Sequence, residues 1–137
     1  MKALYPLTFL AVLALAGGTV YAASSCTNPT APKNIPRGDK ATFEEMVAAQ
    51  KAIKEYDAAI NAYNACLQAE SDTEVAQLEQ KEGDAKKKEA KKKKLTDALN
   101  KKQDAALDAD KALAARFNEQ LRIFKAKSSP GQGNGQG

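Results

Sequence analysis

A chain of 137 residues with no histidine, no tryptophan and a net charge of +4 has the size of one small domain and lacks the commonest general base and metal ligand. Its two cysteines stand forty residues apart, which matches no zinc spacing, and it carries no glycine-rich phosphate loop or nucleophile elbow. These absences argue against an enzyme, and neither a cofactor nor a metal site is expected.

Residues 1–22 have the order of an export signal. Lys2 precedes an unbroken apolar run from Leu7 to Leu15, Gly17 and Gly18 break it, and Val20-Tyr21-Ala22 supplies the small residues a signal peptidase reads. The run is well short of the roughly 20 apolar residues of a spanning helix. Cleavage after Ala22 is therefore expected, with no transmembrane anchor left and a periplasmic or secreted address. About 115 residues then remain, with a net charge of about +3. In an oxidising compartment Cys26 and Cys66 are most simply one disulfide. An intermolecular bridge, free thiols and lipidation of Cys26 are the alternatives. Lipidation wants a bulky aliphatic residue three positions earlier, where this chain has Ala23.

Residues 23–41 contain Pro29, Pro32, Pro36 and Gly38. Each proline fixes its own φ and disfavours helix in the residue before it, so this arm is expected to be extended. Helix is expected from Thr42, which forms a capping box with Glu45, while Ala41 and Met46 can staple across it. From there to Phe124 no proline interrupts a sequence dominated by strong helix formers.

Two apolar seams run through that region at helical spacing. The first joins Phe43, Met46, Ile53, Tyr56, Ile60, Tyr63 and Leu67; the second joins Leu99, Leu107, Leu113, Phe117, Leu121 and Phe124. Gly83 lies between them and is followed by Asp84, a good cap for a second helix. The expected class is all-α, an antiparallel two-helix hairpin over residues 42–127 that turns near Gly83. A rival break at Ser71 to Thr73, with Glu74 closing another capping box, leaves unequal arms.

With the turn at Gly83, facing residue numbers sum to about 166. Leu67 then meets Leu99, Ile60 meets Ala106 and Leu107, Ile53 meets Leu113, Ala49 meets Phe117, and Phe43 meets Phe124. Tyr56 falls opposite Asp110, within reach of a hydrogen bond. Two helices alone bury little apolar surface. The arm, laid antiparallel on the first helix and fixed by the disulfide, would supply the missing cover. A homodimer forming a four-helix bundle would also do so, and the two are compatible. The tail, residues 128–137, has no apolar residue and is expected to be disordered.

Charge is divided along the chain. Residues 39–80 carry nine acids against three lysines, and residues 81–102 carry ten lysines against four acids. The tract from Lys86 to Leu95 supplies a candidate anion-binding set: Lys86, Lys87, Lys88, Lys91, Lys92, Lys93 and Lys94. Its partner would be lipopolysaccharide, an acidic membrane surface or an acidic protein. The competing reading is a solvated helix face answering Glu70, Glu74 and Glu79 on the facing arm. No aromatic residue lies between Lys81 and Lys102, so base stacking is unsupported and specific nucleic-acid binding is not expected. The carboxylates are expected on exposed faces, where nothing would raise a pKa.

The order of parts, with an export signal, a cysteine- and proline-rich arm, then TFEEMVAAQKAIKEYDAAINAYNACL and AARFNEQLRIFKAK, resembles a group of small exported helical proteins of Proteobacteria. The resemblance implies a short helical fold without an assigned activity, so it carries over no site residue. The lysine tract is less typical of that group and resembles the alanine- and lysine-rich helices of envelope-spanning proteins such as the rod domain of the Tol system. The expected function is an exported, non-enzymatic structural or interaction module of the cell envelope whose partner is an unidentified protein. The alternative is a binder of anionic envelope ligands through Lys86–Lys94.

Overall fold

Two long helices account for most of the computed structural model, which describes residues 25–129. The expected export signal and residues 130–137 of the tail lie outside the described residues. Helix α1 spans Phe43–Lys81 and helix α2 spans Ala85–Ser128, about 58 and 66 Å at helical rise. They pack against each other as a hairpin. Among the described residues there is no strand.

Local chemistry sets the ends. The Thr42 hydroxyl accepts the Glu45 amide at 3.2 Å, and the Glu45 carboxylate accepts the Thr42 amide at 2.8 Å. This closed capping box satisfies two donors that the first turn would leave orphaned. Ala41 and Met46 are both buried in the same cluster. At the turn, Glu82 ends α1 in an extended conformation and Asp84 starts α2, its carboxylate accepting the Lys87 amide at 2.9 Å. Gly83 needs no left-handed backbone there, and a Cβ at this position would meet open space. The chain reverses because Asp84 caps a new helix.

The rival break does not form. Helix α1 runs through Ser71, and the Thr73 hydroxyl donates back to the Ala69 carbonyl at 2.9 Å. At the other end α2 continues to Ser128, one residue past the expected boundary.

The core lies in the open half of the hairpin, away from the turn. Met46, Ala49, Ile53, Tyr56 and Ile60 of α1 pack with Ala106, Leu113 and Phe117 of α2, and Ile60 is fully buried. These residues match the expected facing order, and a bond from Gln103 Nε2 to the Asn64 backbone carbonyl, 3.2 Å, pins the register across the helices.

Two expected seam positions are corrected. Leu107 is 36% exposed while its neighbour Ala106 takes the buried place in the cluster with Ile60. Phe43 is 67% exposed. It stands at the first helical position, and the place it was expected to fill is occupied by the turn at residues 37–41. Ala41 is buried there, and Gly38 lies directly on the α2 backbone at Gln120 and Phe124.

Candidate functional site

The arm is extended over residues 25–36 and begins on α1, where Cys26 is joined to Cys66 by a disulfide, Cα to Cα 5.8 Å. Beside the bridge, the Ser25 amide and hydroxyl both donate to one Glu70 carboxylate oxygen, at 2.6 and 2.7 Å. The arm then runs back toward the start of α1, as its prolines and length allow, and Ile35 packs on the core. It ends on α2 rather than α1. The Gly38 amide donates to Gln120 Oε1 at 2.9 Å, and a turn closed by the Arg37 carbonyl leads into Ala41. The arm therefore bridges both helices, whereas the sequence reading laid it on the first helix alone.

The disulfide brings a third group to its side. The Cys26 and Cys66 sulfurs and a Glu70 oxygen lie within 4.8 Å of one another. In the oxidised chain each sulfur is spent on the other, and it is the thiolate that binds metal. The cluster is a staple with a carboxylate beside it.

The lysine tract is divided by the hairpin turn. Glu79 of α1 pairs with Lys88 at 3.2 Å and with Lys92, and Glu82 pairs with Lys91 at 2.5 Å. Lys93 pairs with Asp97 on α2 itself. Hydrogen bonds from Lys92 and Lys88 hold the Glu79 carboxyl below the usual 4.5, and a bond from Lys91 does the same for Glu82. Both carboxyls have lowered folded values, so their contribution is present above the ordinary carboxylate range and is lost as pH falls through those values. All these pairs are at the surface, where salt screens them. Of the expected anion-binding set, Lys88, Lys91, Lys92 and Lys93 already face acids. No described carboxylate lies within 4 Å of Lys86, Lys87 or Lys94, nor of Lys101 and Lys102 further along α2.

A shallow groove continues from the disulfide toward the turn, lined by Leu67, Leu95, Ala98 and Leu99, with Glu70, Glu74 and Lys102 also on its walls. Glu74 was expected to face the lysines, and it stands with Lys102 there without an ion pair among the described residues.

No family model, curated protein or solved structure matches the chain. Among the described residues no helix is long and apolar enough to cross a membrane.

Asp110 departs from the expectation that nothing raises a carboxylate pKa. Asp110 Oδ1 is enclosed without a hydrogen-bond partner, so the expected bond from Tyr56 to that oxygen does not form. Asp57 is the charged neighbour instead, and burial followed by its repulsion raises the Asp110 carboxyl above its usual 3.8. The sign follows from linkage. A folded value above the unfolded one favours the fold fully below the unfolded pKa, and that advantage is lost as pH rises through the folded pKa. We therefore expect Asp110→Asn to be more stable than the native chain at pH 7, with the difference vanishing at about pH 3, where the native carboxyl is protonated in both states. Urea melts at the two pH values measure this, and a difference that persists in acid would show that charge is not its cause.

Proposed function

We propose that this protein is exported and oxidised, and that it works as a non-enzymatic structural or interaction module of the cell envelope. The Cys26–Cys66 bond carries the reading. Disulfides persist in oxidising compartments and are rare in the cytosol, and here the bond ties the extended arm to the first helix. The leader-like residues 1–22 agree with it. A slender hairpin leaves most of its helical surface facing solvent, which suits contact with a partner along its length.

The test is the intact mass of the protein recovered from its native envelope. We expect a chain that starts at Ala23 and gains two hydrogens on reduction. A chain that keeps residues 1–22, or that already has two free thiols before reduction, would overturn the proposal.

The second reading, capture of anionic envelope ligands, is supported by the lysines that have no acid against them. It is narrowed by the four whose charge is answered within the hairpin.

A further inference from the structure

Charge on α2 is sorted around the helix as well as along it. Lys87, Lys91, Lys94, Ala98, Lys101 and Ala105 follow at intervals of four and three, a single face in an α-helix. No acid interrupts this line, and the two alanines leave the lysines standing clear. A second line, about 100° round the helix from the first, runs through Lys86, Lys93, Asp97, Asp104, Asp108 and Lys111, where three acids balance three lysines. All four lysines of the first line are exposed, and among the described residues Lys91 alone forms an ion pair, with Glu82, whose carboxyl Lys87 also helps to hold down. Lys102 lies alongside on the wall of the groove. Glu70 and Glu74 share that wall, but Glu70 is occupied by Ser25.

We infer that Lys87, Lys94 and Lys101 form a docking strip that lays the hairpin flat on an anionic lipid surface. Lys87 and Lys101 are about 21 Å apart along the helix axis, and the three charges drift by only about 20° per heptad. A straight row on a long helix presents all its ammonium groups to a plane at once. The strip has no aromatic residue for stacking bases, and basic side chains close to an anionic bilayer each strengthen binding about fivefold. It differs from the Lys86–Lys94 set in residues as well as in face, because it leaves out the lysines turned toward acids and reaches Lys101. The inference deepens the anionic-ligand reading and takes only its source of membrane from export. Failure on vesicles would leave the mass test of export untouched.

The processed, oxidised protein is mixed with vesicles of phosphatidylethanolamine containing a minority of phosphatidylglycerol, and sedimented at rising salt. We expect binding at low salt that is lost at high salt. Substituting Lys87→Gln, Lys94→Gln and Lys101→Gln together should weaken it about a hundredfold. The same charge change on the second line, Lys86→Gln, Lys93→Gln and Lys111→Gln, should weaken it less than tenfold, with circular dichroism confirming that both variants fold. Equal losses from the two triples would overturn the inference, since only net charge would then matter. So would an absence of binding at low salt, or equal binding to phosphatidylcholine vesicles. Soluble polyphosphate bound as tightly as the vesicles would overturn the lipid assignment in favour of a free polyanion.

Discussion

Reduction of the Cys26–Cys66 bond is expected to lower the melting temperature by on the order of 15–30 °C, with both helices reforming on cooling. The bond closes a loop of sequence separation 40, and holding such a loop shut in the unfolded chain corresponds to about 4 kcal/mol. Small domains have only about 5–15 kcal/mol of stability in all, and in a domain of this size each kcal/mol moves the midpoint by about 4–8 °C. The helices have a core of their own, from Met46 to Ile60 on α1 and from Ala106 to Phe117 on α2. What reduction frees is the arm, whose remaining fastenings are the Ser25 bonds to Glu70, the packing of Ile35 and the seat of Gly38 on α2. Calorimetry with and without reductant measures the effect. An unchanged midpoint would mean that the arm adds nothing to the hairpin.

The helices and their pairing were legible in the sequence because both depend on short-range signals. The capping box at Thr42 and Glu45 and the cap at Asp84 need only a few residues, and each forms as read. The register follows from where the chain turns, so Ile53 with Leu113, Ala49 with Phe117 and Ile60 with Ala106 all join one cluster. Errors begin where a small rotation of a helix decides the outcome. Adjacent helical residues differ by about 100° in direction, so a small rotation decides whether Tyr56 or Asp57 lies nearest Asp110, and whether Ala106 or Leu107 enters the core. Phe43 shows a different limit. Its spacing is right for the seam, but it sits where the helix begins, and a non-helical segment reaches the space first.

The lysine tract was visible as composition, and its division was not. Which lysines stay free depends on which acids the turn brings round, and Glu79 and Glu82 draw in Lys88, Lys92 and Lys91 while Lys87 and Lys94 face outward. Counting charges along the chain mixes the two kinds. The arm's crossing to α2 was likewise out of reach, since a glycine after a proline reads as a turn residue wherever the segment docks.

Gly38→Ala is expected to destabilise the folded chain by about 2–3 kcal/mol, at the upper end of what overpacking costs, although alanine in place of glycine usually helps by stiffening the unfolded chain. A Cβ at this position would lie 2.0 Å from the Gln120 carbonyl oxygen, 2.7 Å from the Phe124 nitrogen and 3.0 Å from the Gln120 carbonyl carbon. All three are backbone atoms of a hydrogen-bonded helix, so the helix cannot give way and the turn must lift. Lifting breaks the Gly38 bond to Gln120 Oε1 and loosens Ile35 and Ala41 from the core. Gln120→Ala separates the two parts of this contact. It removes the side-chain acceptor while keeping the backbone, so its loss should be about 1 kcal/mol, the net worth of one hydrogen bond. Denaturant melts of both variants measure the pair, and equal losses would place the weight on the hydrogen bond rather than on the close approach. The same substitution also tests whether the arm acts as a unit. Its two ends are fixed by the disulfide and by Gly38, so in the reduced protein, where only the Ser25 bonds to Glu70 still hold the first end, Gly38→Ala should cost less than in the oxidised one, a coupling of the kind that groups sharing one structural element show. Additive losses would mean that each end holds its own helix independently and that the arm transmits nothing between them.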